Sequence, residues 1–133
     1  MEFVLLGCDV FTSEVDDHGI DFVVRTQAGN HYDVQVKSFR RQAGRTSYVF
    51  LQKSKFKIHT SLLLVLIQFV DGEPPSLFLI RSCVAGAPNS IFESRDYGEG
   101  KKSEPAWGLT LSKRKLALLA QDCEFQVVAA SLI

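Results

Sequence analysis

Closely spaced cysteines are missing from this chain. Cys8, Cys83 and Cys123 are the only three in 133 residues, and none forms a C-x-x-C pair. That excludes a disulfide framework or a cysteine-based zinc site and leaves reduced, buried thiols in an intracellular, cytoplasmic protein as the expectation. His31 and His59 have no cysteine or histidine at ligand spacing, which argues against zinc in any form. Long apolar runs are also missing. Ser61 to Val70 is strongly apolar, but about ten residues is half of what a membrane helix needs, so no membrane contact is expected. Leu5-Leu6-Gly7-Cys8 has the outline of a lipoprotein cleavage box. Without a basic start or an apolar segment ahead of it, it is not read as one. No glycine-rich loop leads from a strand into a helix, which speaks against nucleotide hydrolases, and no G-x-S-x-G elbow is present. Net charge is lacking too: 15 basic and 15 acidic residues cancel, so overall charge supplies no argument for a nucleic-acid partner.

The distribution of charge says more than its sum. From Met1 to Asp33 stand Glu2, Asp9, Glu14, Asp16, Asp17, Asp21 and Asp33 against one basic residue, Arg25. From Lys37 to Lys57 stand Lys37, Arg40, Arg41, Arg45, Lys53, Lys55 and Lys57 with no acid among them. An acidic cluster beside a basic stretch suits a metal site next to a phosphate-binding surface. The same basic residues would also serve as protection for a sheet edge.

Length and the absence of linkers or repeats predict one domain over residues 1–133. Met1 to Leu6 reads as a helix end or short opening segment, and Cys8 to Ser13 as a strand. Ser47 to Gln52 is a further strand or extended segment. Ser61 to Val70 is a central strand on its apolar, β-branched content. Asp71-Gly72-Glu73-Pro74-Pro75 is a turn, and Ser76 to Ser82 the returning strand. Residues 84–106 look loop-rich, Trp107 to Thr110 a short strand, and Ser112 the cap of a helix over Lys113 to Gln121. The class is α/β, with α+β as the variant: a mixed central sheet flanked by helices.

The most informative segment is a hairpin predicted over residues 19–27 and 31–39. Ile20 to Arg25 and His31 to Lys37 alternate apolar with polar residues, and Ala28-Gly29-Asn30 supplies the turn. That loop pairs Gln27 with His31 and sets Asp21 opposite Lys37. Because side chains repeat with period two, Asp21, Asp33, Gln35 and Lys37 share one face. Ile20, Phe22, Val24, Val34 and Val36 take the other.

Gly19-Ile20-Asp21 followed by Gln35-Val36-Lys37-Ser38 resembles the PD-(D/E)XK nuclease superfamily, in its small bacterial branches with a G-I-D … Q-V-K-S pattern. The resemblance covers the first half of the chain and implies a restriction-endonuclease-like fold. It also implies Mg²⁺ (or Mn²⁺) as cofactor, DNA as partner and metal-dependent hydrolysis of phosphodiester bonds. Asp21 would anchor the metal, with the Gln35 amide oxygen and the Val36 backbone carbonyl as further hard oxygen donors. Lys37 would orient the attacking water and stabilise phosphate charge. Asp21, Gln35 and Lys37 are the candidate catalytic set. The motif's usual acid is a neutral Gln35 here, and Asp33, Glu14, Asp16 or Asp17 are candidates to restore the missing charge. The family's early helical glutamate has no clear counterpart ahead of Gly7.

Arg40, Arg41, Arg45, Lys53, Lys55 and Lys57 are expected to form the DNA-binding rim. Duplex cleavage by a single site favours a homodimer, with exposed sheet edges or the apolar Phe125 to Ile133 stretch as the candidate contact. A catalytically impaired nuclease-like domain, binding nucleic acid or a protein, stands as the alternative. An Asp–Lys pair on an amphipathic hairpin also forms for stability alone. His18 borders the acidic loop as a weaker candidate, and Trp107 reads as core or interface.

Overall fold

A computed structural model describes residues 2–12, 19–42, 44–86, 91–95 and 104–132. The chain opens with a single helical turn, α1 (Glu2–Leu5), then β1 (Asp9–Thr12), β2 (Phe22–Arg25) and β3 (His31–Arg40). β4 (Ser47–Gln52) lies in the crossover to β5 (Leu62–Phe69), and β6 (Ser76–Arg81) returns from it. A short 3₁₀ turn (Ser82–Gly86), β7 (Glu93–Arg95), β8 (Ala106–Leu111), α2 (Lys113–Asp122) and α3 (Phe125–Leu132) complete the order. The fold is mixed α/β, mostly sheet, with helices at its flanks.

The strands form two sheets where the sequence predicted one. The larger has the order β1-β2-β3-β5-β6 and the smaller β4-β8-β7. β3 and β5 run parallel, pairing Asp33 with Leu62, Gln35 with Leu64 and Lys37 with Leu66. All other strand pairs among the described residues are antiparallel. β5 lies between two neighbours and is covered on both faces, so Leu62 to Leu66 are buried without interruption. Such a strand reads as a continuous apolar run rather than an alternating one.

Period-two alternation divides the core. Val24, Val34, Leu63, Val65 and Leu79 point to one side, where Phe3 of α1 and Phe125 and Ala129 of α3 cover them. Phe39, Leu62, Leu64, Leu66, Phe78 and Ile80 point to the other. They meet Val49, Leu51, Leu109 and Leu111 of the small sheet and Leu116 and Leu119 of α2. The candidate face of β3 therefore looks into the seam between the sheets, not into open solvent. The apolar C-terminal stretch is a helix docked on the large sheet, and Val127 is one of its outward residues. α2 starts as predicted, with Ser112 Oγ accepting from the Lys115 amide.

The predicted hairpin is correct in its elements and wrong by two residues in register. Phe22 pairs with Val34 and Arg25 with His31, so Asp21 projects toward Gln35 rather than Lys37. The turn chemistry explains the slip. The amide of Thr26 bonds the Asn30 carbonyl at 2.8 Å, and that of Gly29 bonds the Thr26 carbonyl at 3.0 Å. A three-residue hairpin loop needs a left-handed residue in its last position. Gly29, at φ 91°, supplies it only if the loop is Gln27-Ala28-Gly29. Two residues of slip preserve parity, so the apolar and polar faces are as predicted.

β7 was missed in the loop-rich segment, and its Glu93 fastens the small sheet to α2. Glu93 accepts from Lys115 Nζ at 2.9 Å, Arg95 at 3.0 Å and Thr110 Oγ1 at 3.3 Å. The Lys115 hydrogen bond, ahead of the two other donors, holds the Glu93 carboxyl below its ordinary pKa. A group with a lowered folded pKa stabilises fully above its unfolded value and loses that contribution as pH falls through the folded one. Between pH 7 and about pH 3, below the ordinary glutamate range, wild type should therefore lose more stability than Glu93→Gln. Urea midpoints of both proteins at the two pH values check this; parallel losses would exclude the linkage.

None of the three cysteines is disulfide-bonded. Burial pushes the Cys123 thiol up to about 11 and also raises Cys8, so both stay protonated and unreactive. Cys83 departs from the expectation of buried thiols: it is exposed.

Candidate active site

β3 carries the site because its alternation sets Asp33, Gln35 and Lys37 on the seam face. Gln35 is buried at 7% exposure, and its Oε1 has no hydrogen-bond partner among the described residues. Lys37 is half-buried two residues further on. Its ammonium makes no hydrogen bond or ion pair among the described residues.

Asp21 stands beside them for a local reason. The β2–β3 ladder ends as the chain turns through Gly19, at φ 74°. The Asp21 amide bonds the Val34 carbonyl at 2.9 Å. The Val36 amide, which a longer β2 would have paired, donates instead to Asp21 Oδ2 at 2.7 Å. The carboxylate thus caps an unpaired strand edge and retains acceptor capacity on its exposed side. A strand residue's amide and carbonyl point the same way, so the Val36 carbonyl opens onto the same edge. Gly19 is required by space as well as by φ. A Cβ there would lie 3.0 Å from the Lys55 carbonyl oxygen and 3.7 Å from Gln35 Nε2. The turn after β4 is therefore the roof over Gln35.

The sequence considers His59 only as a zinc ligand and rejects it, and the fold brings it to Asp33. The Ser61 amide donates to His59 Nδ1 at 3.2 Å, which assigns the proton of a neutral ring to Nε2. Nε2 faces Asp33 Oδ2 at 3.5 Å. The fully buried Ser82 fixes the His59 backbone, accepting from its amide at 3.1 Å and donating to its carbonyl at 2.7 Å. No sequence spacing signals this pair; it follows from the parallel register that sets Asp33 against Leu62. Ile20, Ser54, Lys55, Lys57, His59 and Leu62 line a cavity of about 200 Å³ beside it.

The predicted basic rim divides in two. Lys55 and Lys57 border the His59 cavity. Lys53 bonds Ser94 Oγ at 2.6 Å and lies 4.5 Å from the centre of the Trp107 ring. Arg41 and Arg45 instead line a groove of about 620 Å³ with Lys113 and Glu73, past the far end of β3. Gln35 and Arg41 are six residues apart, about 20 Å along an extended chain. Arg40 is paired with Asp71 at 2.9 Å on the surface. Glu14, Asp16, Asp17 and His18 lie outside the described residues.

Asp21, Gln35 and the Val36 carbonyl make an oxygen-only donor set, the chemistry that hard divalent cations take. Among the described residues no three His, Cys, Asp or Glu side chains group at metal-binding distance, so the anionic charge on this set comes from Asp21. No protein-family model matches the chain, and a comparison with curated proteins returns no significant match.

Proposed function

We propose that this chain is a Mg²⁺- or Mn²⁺-dependent endodeoxyribonuclease with a restriction-endonuclease-like core, acting through Asp21, Gln35, Val36 and Lys37. The observation that carries the reading is the Gln35 amide oxygen, buried without a partner among the described residues, one residue before Val36, whose amide donates to the Asp21 carboxylate. A buried carbonyl left unpaired costs about 1–3 kcal/mol, a cost that binding a cation at that oxygen removes. Asp21, Gln35 Oε1 and the Val36 carbonyl are the groups that would hold it. A bound divalent cation supplies Lewis acidity and an acidified water for phosphodiester hydrolysis. Lys37, on the same face as Gln35 and with no hydrogen bond or ion pair among the described residues, stabilises charge on the phosphate and orients the water that attacks it. Asp33, with its His59 partner, is the nearest further acid on the strand and can share in proton transfer.

A binding module without catalysis is the second reading. It is favoured by the hydrogen bond from Val36 to Asp21, which gives the aspartate a structural task, and by the neutral Gln35.

Substitution at Gln35 tests the proposal without relying on turnover alone. Gln35→Leu removes the orphaned carbonyl, so its stability should equal or exceed wild type while Mg²⁺ binding is lost. Gln35→Glu buries a charge, so it should be destabilised in chelator. Saturating Mg²⁺ should restore it, with tighter binding than wild type by calorimetry. Nicking of supercoiled plasmid in Mg²⁺ or Mn²⁺ supplies the activity readout. Absence of both Mg²⁺ and Mn²⁺ binding in wild type and Gln35→Glu alike would leave the binding-module reading standing.

A further inference from the structure

The apolar run of β5 ends on a polar residue that the fold nevertheless buries. Leu62, Leu64 and Leu66 face the seam, and the next residue on that face is Gln68. It is 8% exposed, and its amide makes no hydrogen bond among the described residues. Buried side-chain amides are ordinarily paired, so the group is open to a partner from outside the chain. Gln68 lines a cleft of about 660 Å³, within the range of about 300–1,000 Å³ that small ligands occupy. Leu116, Ala117 and Ala120 of α2 make one wall, and Phe78 and Phe125 complete the apolar lining.

The charge in this cleft lies on its own walls and is divided between its two ends. Arg41 and Lys113, the first residue of α2, line one end. Neither side chain makes a hydrogen bond or ion pair among the described residues, and Glu73, in the adjoining groove, is paired with neither. The start of α2 adds partial positive charge and first-turn amides without intrahelical acceptors. At the other end of α2 the Leu79 amide donates to the Cys123 carbonyl at 2.9 Å, and Phe78 bridges to Glu124. Glu124 and Glu2 line the cleft there, and Glu124 Oε2 accepts from the Val127 amide at 3.0 Å. A polynucleotide running the length of the cleft would meet these carboxylates. A small ligand with one anionic group, placed at the Arg41 end, would not.

Strand register sets the spacing between the two recognition groups. Gln68 pairs with Phe39. Arg41 stands two residues beyond Phe39 on the same face, its amide bonded to the Phe69 carbonyl at 2.9 Å. One strand across and two residues along is about 8 Å, a span that suits a base edge at one end and a 5′-phosphate at the other. A glutamine amide sets an acceptor beside a donor, the pair that matches the amino group and ring nitrogen of adenine. We propose that this cleft binds an adenine mononucleotide, with the base edge on Gln68, the ring against the apolar wall of α2, and the phosphate on Arg41, Lys113 and the start of α2. The proposal does not depend on the Asp21–Gln35 site, which lies toward the other end of β3.

The test is calorimetry of adenosine 5′-monophosphate (AMP), adenosine and inorganic phosphate with the full chain in chelator, which removes metal-dependent binding. AMP should bind at one site per chain, and adenosine and phosphate each about tenfold more weakly or worse, since each forfeits one set of contacts. Gln68→Leu removes the unpaired amide, so its stability should equal or exceed wild type. Its AMP affinity should fall about 5- to 150-fold, the range for a lost bidentate base contact, with phosphate affinity unchanged. Arg41→Ala should weaken AMP and phosphate alike, whereas Arg40→Ala, whose guanidinium is paired with Asp71, should change neither. Absence of AMP binding in wild type overturns the proposal, as does undiminished AMP affinity in Gln68→Leu. AMP bound no more tightly than phosphate also overturns it and leaves an adventitious ion only. A single-stranded oligonucleotide that displaces AMP, binds more tightly and shows the same dependence on Gln68 would assign the cleft to a polynucleotide instead. Plasmid nicking has no part in these readouts, so failure of the nuclease reading leaves the proposal standing.

Discussion

Asp21→Asn is expected to abolish Mg²⁺-dependent DNA cleavage while leaving stability close to wild type. The choice of asparagine follows from the double duty of this side chain. Asp21 Oδ2 accepts from the Val36 amide at the end of the β2–β3 ladder, so alanine would remove a cap and the proposed metal ligand together. An asparagine carbonyl oxygen can still accept from Val36, but it carries no charge to hold a cation. Asp21→Ala should therefore show the same loss of activity with an added cost of about 0.5–1.5 kcal/mol for the hydrogen bond. Lys37→Ala is the complement. The ammonium is not a ligand, so metal affinity should persist while cleavage falls about 10²- to 10⁴-fold, the range for a lost general acid–base or charge-stabilising group. Metal calorimetry, plasmid nicking and urea midpoints on the three variants separate these effects. Cleavage retained in Asp21→Asn would reduce Asp21 to a structural cap.

The residues that align this site were partly legible in the sequence. Alternation along His31 to Lys37 identified the strand and its two faces, because parity survives any even slip in register. The register itself turned on whether Gly29 stands in the middle of its loop or at its end, a difference in backbone handedness that composition alone does not reveal. Ser112 was recognisable as a cap because a hydroxyl ahead of a helical stripe acts locally. The second sheet was not legible. Glu93 to Arg95 is three residues long, too short for a period, and becomes a strand only through pairing with Trp107 and its neighbours. His59 reaches Asp33 through a parallel crossover, and contacts made that way leave no trace in spacing. The basic run was visible as charge. That Arg41 and Arg45 part from Lys55 and Lys57 follows from β3 being ten residues long, with one group at each end.

Leu66→Ala is expected to destabilise the protein by about 2–5 kcal/mol, the range for a leucine deleted from a packed core. Leu66 is fully buried, in the central strand, between β3 and β6 and beneath the small sheet, where few neighbours can move in to fill the space. Against a total stability of about 5–15 kcal/mol for a domain of this kind, that is a large share. The urea midpoint should fall while the m-value stays constant, since the surface exposed on unfolding is unchanged. Val127→Ala, at a position 67% exposed, is the control and should stay within about 0.5 kcal/mol. Leu66 also stands opposite Lys37 in the parallel pair, so the cavity opens beside the lysine stem. If Lys37 acts on the phosphate, cleavage by the folded fraction of Leu66→Ala should fall as well, because small misplacements of a catalytic group are costly. Metal affinity should hold, since Asp21, Gln35 and Val36 do not rest on that side chain. A drop in midpoint below 1 kcal/mol equivalent would mean that the two sheets close over the deleted side chain, and that the seam is looser than the packing of Leu64, Leu66, Leu51 and Leu109 implies.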